Sequence, residues 1–188
     1  MEVKMDQKGF LKVNDMLETS ISGIYGAGDV TGNPMFVYTG AYEGALAAEN
    51  AITNTIKKCD YTVLPWVIFT DPQVCGVGLG ENEADKKDIV TDTSLFPLEQ
   101  VPRSIAAYDT RGFIKLILNK KTHKLIGARI LAPEGSELLM ELSMAIKFGI
   151  TTEELSSYFH PYLTLSEGIK LAATIFEKNI ESLSCCAS

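Results

Sequence analysis

The sequence is poor in cysteine and has neither a long apolar run nor an excess of positive charge. No stretch approaches the ~20 apolar residues that a membrane-spanning helix requires. The formal net charge of −7 disfavours nucleic acid and anionic membranes as partners. Because the four cysteines do not form a disulfide framework and the polar segment Met1–Asp6 does not resemble a secretory signal, we expect a cytoplasmic protein.

Two of the four cysteines, Cys185 and Cys186, are adjacent and close to the last residue given. A terminal tail is poorly ordered unless something ties it down, and a core does not need two thiols there. Thiolates are soft ligands for thiophilic metals, and two of them suffice for Hg(II), whereas structural zinc usually takes four ligands. The pair therefore predicts a metal-handling enzyme, with an incidental pair on a frayed tail as the alternative. Cys59 and Cys75 have no neighbouring cysteine and are interpreted as incidental, Cys75 as a small core residue.

The composition changes near residues 54–64, where a polar linker follows a segment rich in glycine and alanine. The part before the linker holds too few elements to bury a core, so we interpret it as the end of a domain whose beginning is missing. The predicted parts are 1–60, the remnant of an FAD-binding domain; 61–177, a dimerisation domain; and 178–188, a cysteine-containing tail. In the first part we predict strands at Phe10–Val13 and Ile24–Tyr25 and a helix at Tyr38–Ile52.

The second part has strands first and helices later, which favours an α+β fold with a mixed or antiparallel sheet flanked by helices. Apolar and β-branched runs predict the strands, and a polar loop between the last two predicts a hairpin. Apolar spacing and capping boxes predict the helices. The predicted strands are Leu64–Phe69, Val74–Leu79, Phe113–Leu118 and Leu125–Leu131, and the predicted helices are Ser136–Phe148, a short one opened by Thr151–Glu154, and one from Thr164 to about Phe176.

Residues 19–30 form a glycine-rich segment that ends close to a carboxylate, Asp29. Glycines let a ligand approach the backbone, the carboxylate accepts hydrogen bonds from sugar hydroxyls, and the N-terminus of the helix that follows favours negative charge. The glycine spacing misses the dinucleotide-binding fingerprint by one residue, so that motif is not assigned. From the residues alone, a ligand-binding turn and a simple Asp-containing turn both remain open.

The same segment resembles the second flavin-binding motif of the pyridine nucleotide–disulfide oxidoreductases, the family of glutathione reductase and dihydrolipoamide dehydrogenase. The resemblance implies that Asp29 holds the ribityl chain of FAD. It also implies that the backbone of Phe36, Val37 and Tyr38 lies at the pyrimidine edge of the flavin, where a helix N-terminus stabilises charge on the reduced ring. The likeness continues through Pro65–Val74, which is similar to the opening of the family's interface domain, and it covers essentially the whole chain.

A complete member of this family has further motifs that are absent from this sequence. We find no N-terminal glycine-rich nucleotide motif, no nicotinamide-binding unit and no pair of redox cysteines a few residues apart. In a complete member these lie upstream, so we expect this chain to be a fragment. Three features point, within the family, to the branch that reduces mercury(II): Cys185–Cys186, the segment His160–Ala173, and Val101–Arg103 together with Asp109–Lys115.

Tyr162 lies where most of the family has a catalytic histidine, five residues before Glu167, while His160 comes two positions earlier. A phenol with a pKa near 10 is a poor proton shuttle for thiol chemistry, but it can hydrogen-bond or line a metal path. We therefore predict that Tyr162 acts in metal reduction rather than in dithiol–disulfide exchange; the alternative is a tyrosine packed against the helix start. We interpret Glu167 mainly as the capping-box partner of Thr164, and His160 as structural.

In the complete enzyme that the resemblance implies, NADPH reduces FAD, FAD reduces an inner cysteine pair, and Hg(II) held between thiolates is reduced to Hg(0). Cys185 and Cys186 would catch Hg(II) and pass it by thiolate exchange to the partner subunit of a homodimer. We expect the isolated chain to dimerise, to hold no tight FAD and to have no reductase activity. Two alternatives stay open: another flavin disulfide reductase, resembling dihydrolipoamide dehydrogenase, and a non-catalytic module for dimerisation or metal sequestration.

Overall fold

A computed structural model describes residues 2–32, 34–53 and 56–177. The chain divides after Tyr61 into two compact units, and each is described by itself. None of the helices in the described part of the chain has the length and hydropathy of a transmembrane segment. The helices are α1 (Val37–Thr53), α2 (Glu81–Asp85), α3 (Pro102–Ala106), α4 (Leu139–Phe148), α5 (Thr152–Ser157) and α6 (Glu167–Thr174). The strands are β1 (Trp66–Ile68), β2 (Gln73–Gly78), β3 (Thr91–Pro97), β4 (Phe113–Asn119) and β5 (Leu125–Ala132).

The first unit packs an irregular segment against one long helix, α1. The two strands predicted in this segment were wrong, because tight turns interrupt each run before a ladder can extend. One such turn is closed by the amide of Leu17 donating to the carbonyl of Asn14 at 2.9 Å. What remains are three single antiparallel bridges: Met5 with Leu11, Val13 with Thr19, and Glu18 with Tyr25.

Helix α1 agrees with its predicted range to within one residue at each end. Its buried face recurs at helical spacing and includes polar as well as apolar side chains. Leu46 and Ala47 pack against Leu17 to form a small core. The Asn50 side chain donates to the Lys57 carbonyl at 2.9 Å and accepts from the Lys57 amide at 2.9 Å, which returns the linker to the helix.

The second unit is built on a five-stranded antiparallel sheet with the order β1-β2-β5-β4-β3. The predicted hairpin is confirmed, because β4 pairs with β5 antiparallel from Phe113 opposite Leu131 onward. Alternate side chains point to opposite faces of a strand, and one set from each of the three central strands is fully buried. These core residues are Cys75 and Val77 of β2, Ile114 and Leu116 of β4, and Ala128 and Ile130 of β5.

Helices complete this core, as the α+β class predicted. Helix α4 contacts β2 and β5, while α6 contacts β3, β4 and α5. The helix predicted from Ser136 instead opens with a 3₁₀ turn, Gly135–Leu138, and becomes α-helical at Leu139. It ends at Gly149, as predicted, in the left-handed conformation that terminates many helices.

The edges of the sheet differ most from the predictions. The run Leu64–Phe69 was predicted to be a buried strand, but only Trp66–Ile68 pairs, on an edge with one partner, and Phe69 is 79% exposed. Strand β3 was not predicted, because an edge strand that carries polar residues and ends in proline lacks a continuous apolar run. Helices α2 and α3 were missed because five residues are too few to show a helical period.

Candidate functional site

The glycine-rich turn contacts α1. Gly28–Thr31 forms a 3₁₀ turn, and Gly28 has φ = 75°, a left-handed conformation that favours glycine. A Cβ atom on Gly28 would lie 3.6 Å from the Cα atom of Gly40 on α1, so the two backbones approach without intervening side chains. Asp29, the next residue, is exposed. The turn thus presents a carboxylate beside a helix that its glycines allow to come close.

The other predicted flavin contacts lie at the start of α1. Val37 is 93% exposed, and the rings of Phe36 and Tyr38 stack with centroids 5.2 Å apart and planes 7° from parallel. Thr39, in the same first turn, is 1% exposed, and its hydroxyl finds no hydrogen-bond partner among the described residues. The helix start therefore combines exposed backbone with an unsatisfied buried hydroxyl.

A buried carboxylate joins the glycine-rich turn to the linker. The Glu43 side chain is 2% exposed, and both of its oxygens accept hydrogen bonds. The Gly28 amide donates to Oε2 at 2.6 Å, and the Tyr61 hydroxyl donates to Oε1 at 2.7 Å. Burial, together with hydrogen bonding to Cys59 and Glu43, raises the pKa of Tyr61, so its phenol keeps the proton that it donates.

In the second unit, Tyr162 lies in the turn between α5 and α6 and is 63% exposed. The turn is held from within: the Thr164 hydroxyl donates to the Pro161 carbonyl at 2.8 Å. Leu163, which follows Tyr162, has φ = 63°. The phenol is therefore presented to solvent by a turn with fixed internal hydrogen bonds.

His160 anchors this turn to α4. Its side chain is 6% exposed, with Nε2 placed 2.7 Å from Glu141 Oε1 and Nδ1 placed 3.2 Å from the Tyr158 carbonyl. The hydrogen bond to Glu141 raises the pKa of His160, against the opposing effects of burial and of Lys170. This contact is the structural role that the sequence predicted for His160.

The capping interactions were predicted in part. The box at Thr151 and Glu154 is complete, with hydrogen bonds of 3.1 Å and 2.8 Å between each side chain and the other residue's amide. At α6, Thr164 accepts from the Glu167 amide at 3.3 Å, but the Glu167 carboxylate accepts from Leu163 at 3.2 Å. Glu167 thus stabilises the turn that carries Tyr162 rather than closing the predicted box.

The cysteines fall into three environments. Cys185 and Cys186 lie outside the described residues. Cys75 is fully buried, as predicted, and burial raises the pKa of its thiol to about 11. Cys59 is not a bystander in a polar linker, since it packs against the Leu17 core of the first unit. Within the described residues, no group of three or more His, Cys, Asp or Glu side chains could hold a metal ion.

Comparison with known families assigns both parts of the chain. The model of the pyridine nucleotide–disulphide oxidoreductase dimerisation domain matches residues 64–173, more than half of the chain. The chain belongs to the pyridine nucleotide–disulphide oxidoreductase family. A second model, of the pyridine nucleotide–disulphide oxidoreductases themselves, matches residues 1–44. The family resemblance predicted from the sequence is therefore confirmed.

Relatives within this oxidoreductase family refine the comparison. Mercuric reductases from Staphylococcus aureus and Shewanella putrefaciens are 44% and 46% identical over 98% of this chain, which covers 34% and 33% of them. The chain thus spans about a third of the length of these relatives. LpdA from Mycobacterium tuberculosis superposes with a TM-score of 0.83 at 27% identity, over 94% of this chain and 38% of that one. The flavoprotein disulfide reductase RclA from Escherichia coli gives 0.85 at 23% identity, over 93% and 40%, which shows the fold alone.

Sequence reasoning missed Glu43, Tyr61 and Glu141. One signal was available for Glu43: its position falls on the apolar face of α1, where an unpartnered carboxylate is rare. No such signal exists for Tyr61, which is 18 residues from Glu43, or for Glu141, which is 19 residues from His160. Their roles depend on contacts that only the tertiary fold creates.

Proposed function

We propose that this chain is the carboxyl-terminal part of a mercury(II) reductase, an enzyme that uses NADPH and FAD to reduce Hg(II) to Hg(0). The observation that carries the proposal is its 41–46% identity, over 98% of its length, to mercuric reductases from several bacteria. Because the chain spans about a third of these relatives, the nucleotide-binding glycine motif, the nicotinamide site and the inner cysteine pair would be supplied by the rest of the protein.

The first unit has the features that an FAD site requires. Asp29 would accept hydrogen bonds from the ribityl chain, and the first turn of α1, from Phe36 to Tyr38, would face the pyrimidine edge. The close approach of Gly28 to Gly40 and the unsatisfied hydroxyl of Thr39 support this fit. When bound, FAD would carry electrons from NADPH to the thiols. The N-terminus of α1 would stabilise negative charge at that edge.

The tail cysteines would handle the metal. At each transfer an incoming thiolate bonds to Hg(II) as an outgoing thiolate leaves, so the ion moves inward without being released and without a change of oxidation state. Cys185 and Cys186 would be the first pair in this path. Tyr162, exposed on its anchored turn, would line the path where dithiol-reducing members of the family carry a histidine.

Dimerisation would bring the tail of one protomer to the active site of the other. Met140, Met144 and Phe148 recur every four residues along α4 and are 60%, 56% and 72% exposed, which makes an apolar stripe on this helix. An apolar cavity of about 270 Å³ adjoins the stripe between α4 and Tyr158. Exposed apolar surface of this kind marks interaction sites, and the matched family model describes a dimerisation domain.

Turnover by the full-length reductase tests the proposal. One NADPH supplies two electrons to Hg(II), giving NADP⁺, a proton and Hg(0), so NADPH oxidation and mercury vapour should appear in equal amounts. A different flavin disulfide reductase would oxidise NAD(P)H with a disulfide and not with Hg(II), and a non-catalytic module would oxidise none. Either result would refute the proposal.

The isolated chain has its own expectation. Because the rest of the flavin site and the inner dithiol are outside it, we expect it to hold no tight FAD and to have no reductase activity. Stoichiometric FAD in the purified chain would contradict this expectation.

A further inference from the structure

Glu43 connects two segments of the first unit that are distant in sequence. Its carboxylate accepts the Gly28 amide at 2.6 Å on one oxygen and the Tyr61 hydroxyl at 2.7 Å on the other. With 2% of its surface exposed, it has exchanged water for these protein donors. Buried carboxylates are rare unless they are hydrogen-bonded or paired, so this arrangement points to a specific role.

The hydrogen bond from Gly28 acts directly on the candidate flavin turn. A bond from an amide to a carboxylate is charge-assisted and among the stronger hydrogen bonds in proteins. The carbonyl of Gly28 is also held, because the Thr31 hydroxyl donates to it at 2.9 Å. Since Asp29 follows immediately, fixing both polar groups of Gly28 fixes the direction in which the chain enters Asp29.

Tyr61 secures the carboxylate from the linker side. Its ring meets that of Tyr42 edge-on, with centroids 6.3 Å apart, and the Tyr42 hydroxyl accepts the Asp60 amide at 3.0 Å. These contacts hold the end of the linker against α1. The rotamer of Glu43 is therefore constrained by donors on both oxygens.

We propose that Glu43 is a positioning residue for the flavin: its buried carboxylate locks the Gly28–Thr31 turn in the geometry that presents Asp29 to the ribityl chain. The identity of the ligand rests on the proposed function. The lock itself rests on the contacts of Glu43, so the two can fail separately.

Amide hydrogen exchange at Gly28, measured by NMR on the ¹⁵N-labelled chain, tests the lock. Glu43→Ala should speed exchange at Gly28 by about tenfold or more, because it removes a charge-assisted acceptor. Glu43→Gln keeps an acceptor oxygen and should restore most of the protection. The matched control is Glu49→Ala, which removes an exposed carboxylate, paired with Lys57, from the same helix and should leave Gly28 unchanged.

Exchange at Gly28 within twofold of the parent in a folded Glu43→Ala chain would overturn the proposal. If Glu43→Ala does not fold, Glu43→Gln decides. The Gly28 amide proton should then move upfield, because a neutral acceptor forms a weaker bond, and an unmoved resonance would also overturn the proposal.

FAD titration of the full-length reductase tests the functional half. Glu43→Ala should weaken FAD binding by about tenfold or more, Glu43→Gln should recover most of it, and Glu49→Ala should have no effect. Unchanged FAD affinity in Glu43→Ala would refute the positioning role. A protein whose FAD affinity depends on Glu43 but which does not reduce Hg(II) would refute the mercury reductase proposal alone.

Discussion

Among single residues, His160 makes the turn that carries Tyr162 sensitive to pH. The hydrogen bond to Glu141 raises the pKa of His160 above its ordinary value, while burial and Lys170 act in the opposite direction. We expect Glu141→Gln to lower that pKa, because the substitution removes the carboxylate that favours the charged ring. NMR titration of the His160 ring in both proteins measures this, and equal pKa values would contradict it.

The raised pKa also gives a direction to the stability of the second unit. Protonated His160 is favoured by folding, so its contribution is fully present below the ordinary pKa near 6.5 and is lost as pH rises through the folded value. The gap in urea midpoint between the parent and His160→Gln should therefore be larger at pH 6 than at pH 9. The control is His123→Gln, because the His123–Glu153 pair is exposed and screened by solvent. A gap that widens with pH would contradict the assignment.

Tyr162 should matter for turnover and not for folding. Its side chain is 63% exposed, so Tyr162→Phe should change the free energy of unfolding by no more than about 0.5 kcal/mol. In the full-length reductase the same substitution should lower the rate of Hg(II) reduction. Tyr108→Phe, at a tyrosine that is 98% exposed, is the control and should leave both unchanged. Normal turnover in Tyr162→Phe would remove Tyr162 from the proposed path.

Among the elements of secondary structure, the pairing of β2 with β5 depends on Gly127. A Cβ atom there would lie 1.9 Å from the Leu79 carbonyl oxygen, so Gly127→Ala forces backbone to move. We expect it to lower the free energy of unfolding of the second unit by about 3 kcal/mol or more. The fluorescence of Trp66, the single tryptophan, follows this unit during urea denaturation.

Gly44 on α1 is the matched contrast. A Cβ atom at this position meets nothing within 4 Å, and alanine loses less conformational entropy in a helix. Gly44→Ala should therefore raise the stability of the first unit by about 0.5–1 kcal/mol, as read from the amide resonances of α1. A destabilised Gly44→Ala, or an unaffected Gly127→Ala, would show that the backbone approaches are misjudged.

Elements with a sustained period could be predicted from the sequence, and short or edge elements could not. Helix α1 and the β4–β5 hairpin were found because their apolar residues repeat over many positions. Strand β3 and helix α2 escaped because neither shows a sustained apolar period. In the first unit, Phe10–Val13 has strand composition, but local turns stop it from pairing as a strand. Local pattern predicts an element only where tertiary pairing lets it extend.

The site shows the same limit. Asp29 and Tyr162 could be predicted because each lies in a local motif with a family resemblance. Glu43 and Glu141 could not be assigned partners, because their contacts span 15 and 19 residues of sequence. Positioning side chains of this kind have no local spacing to betray them, so they emerge only from the folded contacts.

For the whole molecule, self-association is the first expectation. The apolar stripe on α4 should pair two copies, so the 20.5 kDa chain should sediment as a dimer. Met144→Glu places a charge in the stripe and should give a monomer. Val90→Glu, at a residue that is 69% exposed outside the stripe, is the control and should remain dimeric. A dimer that survives Met144→Glu would place the interface elsewhere.

A titration of the chain with Hg(II) tests the metal-handling role. The parent chain should bind one Hg(II) tightly, and Cys185→Ala/Cys186→Ala should abolish that binding. Cys59→Ala should retain it, and Cys75 should not compete, because burial raises its pKa to about 11 and leaves little thiolate at neutral pH. Undiminished tight binding of Hg(II) in the double variant would contradict the mercury-transfer function proposed for this chain.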